Sequence, residues 1–228
     1  MKKILSITLL MSLSICIYAG DVANFLNLGF SPNGKYFLFG EHGVENGFQR
    51  AYANMWLVNV ERNEFVKGGK YSGEYDTVIE PGESSIGGLL KLLDKAKTKV
   101  TNSRIDYLDQ GRPLYVRINE SGDVNSLNFR DFTTGFTYKL DLKKSVRVTN
   151  ETSYSSFSII LETIDNNGVS RVFNIGNPNY ERKGVNDYKI DRILHSSRGS
   201  NLVIVISKFV ENGKDVNVRY MVETISLN

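Results

Sequence analysis

Cysteine is almost missing from this chain. Its 228 residues include one, Cys16, and nothing after that position can form a disulfide within the chain. Whatever folds must be held by packing alone. Histidine is nearly as scarce, with His42 and His195 the only two. No Cys or His cluster has the spacing of a zinc site, so no metal is expected. Charge of one sign is missing as well. There are 28 Lys and Arg against 25 Asp and Glu. Such balance sets up no field to draw nucleic acid, and no nucleic-acid partner is expected. The chain has no GxSxG elbow, no Ser-x-x-Lys and no phosphate-cradling loop; Gly87-Gly88 lacks the flanking pattern. No catalytic residue and no cofactor site is read from motifs, and the chain is not expected to be an enzyme.

The N-terminus does carry a signal. Met1-Lys2-Lys3 is a short positive segment, and Ile4 to Ala19 follows without a charge. The run is shorter than the roughly 20 apolar residues a membrane-spanning helix needs. It also contains Ser6, Thr8, Ser12 and Ser14, and reads as the apolar core of an export signal over residues 1–19, cut after Ala19 or Gly20. No transmembrane span is expected once it is removed. Cys16 leaves an alternative open. Leu13-Ser14-Ile15-Cys16 has the outline of a lipoprotein box, with Ile15 where a small residue is usual. Acylation there would make the protein lipid-anchored. Removing Lys2 and Lys3 leaves 26 basic residues against 25 acidic. Residues 20–228 are long enough for one domain with a real core.

Short alternating segments dominate that domain. Tyr36 to Phe39 and Asn54 to Val60 read as strands, joined by a Gly-rich loop over Gly40–Gly47. Tyr71 to Glu83 reads as irregular. Leu89, Leu90, Leu92, Leu93, Ala96 and Val100 recur at helical spacing and predict one amphipathic helix over about 86–100, with Ser84-Ser85 as its cap. Beyond Pro113 the strand pattern returns, with a turn over Asn119–Asp123. Compact turns follow at Thr133-Thr134-Gly135, at Asp165-Asn166-Asn167-Gly168 and at Glu211 to Lys214. The fold class expected is mainly β: a β-propeller-like ring or a β-sandwich of antiparallel hairpins.

An internal repeat lies under this pattern. Phe30-Ser31-Pro32-Asn33-Gly34-Lys35-Tyr36 can be laid on Leu194 onward, Ser31 over Ser196 and Gly34 over Gly199. The first copy resembles the turn of propeller repeats in TolB-like periplasmic proteins. Proline presets the backbone at the second turn position and glycine takes the positive φ. A longer likeness covers residues 28–69 and 187–227, including Val58-Asn59-Val60, Asn63-Glu64-Phe65, Val203 to Ile206 and Arg219 to Thr224. On these residues the chain is similar to a bacterial family of predicted secreted proteins of unknown function, seen in spirochaetes among others. The resemblance implies secretion and assigns no activity.

Six residues stand out as candidates for a ligand or partner site: Glu41, His42, Tyr52, Trp56, His195 and Tyr220. The expected role is that of a non-enzymatic periplasmic or secreted component of the cell envelope. It would bind an envelope protein or polymer through loops of the β scaffold. A secreted hydrolase using Glu41, His42 and Glu45 is the alternative. The two histidines could act as a pair only if folding brings them together.

Overall fold

A computed structural model describes residues 20–45, 50–80, 82–118 and 125–227. The export signal, Cys16 and the turn expected over Asn119–Asp123 lie outside the described residues. The chain builds three four-stranded antiparallel sheets and, among the described residues, one helix of α type. Sheet I is β1 (Asn24–Phe30), β2 (Tyr36–Glu45), β3 (Arg50–Asn59) and β4 (Glu64–Asp76), in that spatial order. Helix α1 (Ile86–Asn102) follows, then β5 (Arg112–Val116). Sheet II is the meander β6 (Ser126–Arg130), β7 (Thr137–Thr149), β8 (Thr152–Ile164) and β9 (Ser170–Lys183). Sheet III is β10 (Val185–His195), β11 (Asn201–Asn212) and β12 (Asp215–Ser226), and β5 pairs with β10 to complete it.

The layers follow from which face of each strand is apolar. Leu38, Met55 and Leu57 of sheet I pack on Leu89, Leu92, Ala96 and Val100 of α1. The opposite face of sheet I, with Phe37, Phe39 and Val58, packs on Val203, Val205 and Val222 of sheet III. The far face of sheet III, with Ile190, Leu202, Ile204 and Ile206, packs on Leu140, Phe157, Ile159 and Leu161 of sheet II. Sheet III is therefore covered on both sides. This is why Leu202 to Ile206 is an unbroken apolar run in which every residue is fully buried.

The repeat is visible as geometry. Ser31 N–H donates to the Tyr36 carbonyl at 2.9 Å, and Ser196 N–H donates to the Asn201 carbonyl at 2.9 Å. Gly34 and Gly199 hold φ of +70° and +79° at the matching place, a region open to glycine without strain. The likeness extends through three strands, β1-β2-β3 matching β10-β11-β12 in order and direction. The two turns also meet. Asn201 Nδ2 donates to the Gly34 carbonyl at 3.1 Å.

Several boundaries differ from the sequence reading. Gly40 to Glu45 is strand, not loop: Gly40 pairs with Met55 and Gly43 with Tyr52. These glycines answer a need for close approach. A Cβ on Gly40 would sit 2.6 Å from Leu89 Cδ1, and one on Gly43 would sit 2.3 Å from the Tyr52 hydroxyl. Tyr71 to Asp76 is the second half of β4, where Tyr71 and Tyr75 pack against the helix side. Ser85 precedes α1 without capping it through its side chain; its hydroxyl is engaged by His42 instead.

Candidate functional site

The best-defined polar constellation lies on the seam between sheets I and III, and it follows from strand alternation. Phe37 and Phe39 of β2 face sheet III, so the next residue on that face is Glu41. On β3 the same face carries Val58, Trp56 and then Asn54, which pairs directly with Glu41. A carboxylate thus stands where the packing pattern calls for an apolar side chain. It is only 2 % exposed. Both of its oxygens are occupied: Asn54 Nδ2 donates to one at 3.1 Å, and the Tyr220 backbone N–H of β12 donates to the other at 2.7 Å. Burial pushes the Glu41 carboxyl above its ordinary value; the two hydrogen bonds and the charges of Lys208 and Arg219 oppose that rise. Burial likewise holds Lys208 below the usual lysine value, against the pull of Glu41.

Aromatic rings flank this carboxylate. Trp56 stacks on Phe39 with centroids 5.0 Å apart, and Tyr220 meets Phe25 at 5.4 Å. Beyond Tyr220, Arg219 reaches across to sheet I. Its guanidinium lies 4.5 Å from the centroid of the Tyr52 ring and donates to Asp21 Oδ2 at 2.8 Å. Tyr52 is 9 % exposed, and its hydroxyl has no hydrogen-bond partner among the described residues. Burial, with the Asp21 carboxylate beside it, holds that hydroxyl protonated well above the ordinary tyrosine range. Asp21 is fixed in turn, because its N–H donates to the Asn217 side chain and its carbonyl accepts from Val218 N–H.

The seam opens to solvent at the end of sheet I opposite the paired turns. The opening is a cleft of about 430 Å³ lined by Tyr52, Asn54, Ser72, Arg219 and, at the rim, Glu45 and Glu74. Arg50 beside it is tied to Glu74 at 3.2 Å and to Asp76 at 3.0 Å. The mouth is polar, carries charges of both signs and is backed by the packed faces of sheets I and III.

Four of the six residues singled out from sequence gather on this seam: Glu41, Tyr52, Trp56 and Tyr220. The two histidines do not join them. His42 follows Glu41 in the strand and so points to the opposite face, toward α1, where its Nδ1 lies 2.8 Å from Ser85 Oγ. It is 6 % exposed, and burial holds it below the ordinary histidine value. His195 ends β10 at the paired-turn end, with Nδ1 2.7 Å from the Ser196 carbonyl. Glu41 and His42, which fall in the expected Gly-rich loop, are instead inside a strand packed on each face. Asn54, Lys208, Arg219 and Asp21 were missed. One signal was available: Asn54 interrupts a phase otherwise made of Tyr52, Trp56 and Val58 on β3, and the repeat lays it over Arg219 of β12.

Among the described residues no group of three or more His, Cys, Asp or Glu is placed to hold a metal ion, and no helix is long and apolar enough to cross a membrane. No curated protein and no solved structure matches the chain. A family model described as "Predicted secreted protein (DUF2259)" matches residues 38–226, a span from early in β2 to the end of β12 that takes in sheets II and III, sheet I except β1, and Glu41. On that match the chain belongs to the DUF2259 family of predicted secreted proteins.

Proposed function

We propose that this protein is a non-enzymatic component of the cell envelope, periplasmic after export, that binds another envelope protein or polymer at the cleft between sheets I and III. The observation that carries the reading is the construction of that cleft. Arg219 is bound to Asp21 and stacks on Tyr52, Glu41 anchors the inner end to β12, and half-buried Glu45 with exposed Glu74 and Ser72 stand at the mouth. Groups fixed before binding lose little freedom on binding, which favours recognition over adaptation. Rim charges of both signs suit a polar partner surface.

The hydrolase alternative draws less support. Its three residues, Glu41, His42 and Glu45, do not converge, because His42 faces α1 and both Glu41 oxygens are already bonded. A general acid or base needs a free position within reach of the reacting proton.

The test is mild crosslinking and co-purification from the envelope fraction, with wild type compared against the double variant Glu45→Lys, Glu74→Lys. Both positions are at the rim, and the change reverses local charge without touching the buried ties. A specific partner recovered with wild type and lost with the folded variant supports the reading. Equal recovery by both, or recovery by neither, counts against it.

A further inference from the structure

A second cavity, of about 360 Å³, lies at the paired-turn end between the edges of sheets II and III. It is separate from the Glu41 seam and plays no part in the proposed function. Its apolar lining comes from Phe136, Val169, Leu227 and the ring of Tyr138. Hydroxyls of Thr134, Thr163 and Ser200 line it too, along with three side chains that can carry charge, Arg171, Asp165 and His195; each of these three is held by a bond that leaves some of its capacity unused. Arg171 donates through Nη1 to the Leu227 carbonyl at 3.0 Å, and its other donors have no partner among the described residues. Asp165 Oδ1 accepts the N–H groups of Asn167 and Val169 at 2.8 and 2.9 Å, leaving Oδ2. The Ser196 carbonyl 2.7 Å from His195 Nδ1 can only accept. Nδ1 therefore carries the proton in the neutral ring, and Nε2 is left as an acceptor.

A guanidinium fork, a carboxylate and an imidazole Nε2 beside apolar side chains suit a small molecule that carries both charges. We infer that this cavity binds a free α-amino acid with an apolar side chain. Its carboxylate lies on the open edge of Arg171, its ammonium is shared between Asp165 Oδ2 and His195 Nε2, and its side chain rests on Phe136 and Tyr138. Arg171 suits a carboxylate because its planar donors match two oxygens at once. Asp165 opposes a purely anionic ligand and favours one that also carries a positive charge. The cavity volume is within the range of small-molecule sites.

The experiment is isothermal titration of the wild-type protein with phenylalanine, 3-phenylpropionate and phenethylamine, which present both charged ends, the carboxylate alone and the amine alone. Phenylalanine should bind in the micromolar to millimolar range, with each half-molecule weaker by about tenfold or more. Asp165→Asn keeps the acceptor that closes the turn and should weaken phenylalanine by about tenfold while leaving phenylpropionate unchanged or tighter. Arg171→Gln should weaken phenylalanine and phenylpropionate alike, with thermal melting used to show that the variant is folded. Absence of phenylalanine binding at millimolar concentration overturns the inference. So does phenylpropionate binding as tightly as phenylalanine, or an affinity that neither variant changes.

Discussion

Replacing Glu41 separates its two roles, as an acceptor that ties two sheets together and as a buried charge. Glu41→Ala removes the acceptor from Asn54 Nδ2 and from the Tyr220 N–H at once. Leaving a buried donor unpaired costs about 1–3 kcal/mol. Two donors, partly relieved by water at the seam, put the loss near 3 kcal/mol, which for a domain of this size lowers Tm by about 6–12 °C. Glu41→Gln behaves differently. The amide oxygen can still accept from Tyr220, and its nitrogen can donate to Asn54 once that amide turns over, so the cost should stay below about 1 kcal/mol. The charge role shows in the pH dependence. Burial raises the folded-state pKa of Glu41 above its ordinary 4.5. From there up to the raised value the folded state holds a proton that the unfolded state has lost, so this group's contribution to stability falls as pH rises through that window and is flat above it. Glu41→Gln removes this slope, and Glu223, which burial also raises, keeps its own in both proteins. The assay is urea unfolding of wild type, Glu41→Ala and Glu41→Gln at a series of pH values between 4 and 8. A Glu41→Ala variant within about 0.5 kcal/mol of wild type, or identical pH slopes for wild type and Glu41→Gln, refutes the reasoning.

Three further substitutions probe the frame. Ile204→Ala removes a fully buried side chain from the central sheet, where Ile204 packs toward sheet II, and should cost about 2–5 kcal/mol in denaturant unfolding. Arg112 forms a two-pronged pair with Asp131, at 2.7 and 2.6 Å, and the carboxylate side chain is 1 % exposed. That pairing holds the Asp131 carboxyl far below its ordinary 3.8, so its stabilisation is complete above that value and is lost as pH falls toward the depressed one. Arg112→Gln leaves the buried carboxylate unpaired and should destabilise by about 3 kcal/mol at neutral pH, with the loss shrinking in acid. Gly40→Ala pushes a methyl against Leu89; it should cost about 1–3 kcal/mol and selectively weaken hydrogen-exchange protection in α1.

Much of the fold was legible because alternation and turn chemistry are local. Val203, Val205 and Ile206 announced a buried strand, Asp165 to Gly168 a hairpin, and Leu89 to Val100 a helix packed by one stripe. The loop reading of Gly40 to Gly47 failed because glycine in a strand looks like glycine in a turn until the neighbour is known. Here the neighbours are Leu89 and Tyr52, distant or on another strand. The site was half legible. Glu41 was singled out, but as a member of a Gly-rich loop, and its partners Tyr220 and Arg219 come from a strand at the far end of the chain. Only the repeat, which sets β3 over β12, hinted at that meeting. His42 and His195 attracted notice for their rarity, and rarity carries no information about place.

The central claim is that the cleft between sheets I and III is where this protein meets its partner. The most direct measurement places a photocrosslinking amino acid at Ser72, an exposed cleft residue, and a second at Lys143, exposed on sheet II, in the full chain expressed in its own cells. A discrete adduct from Ser72 that is absent from Lys143, and reduced by Glu45→Lys and Glu74→Lys, is the predicted result. The same adducts from both positions, or none from Ser72, would contradict the account.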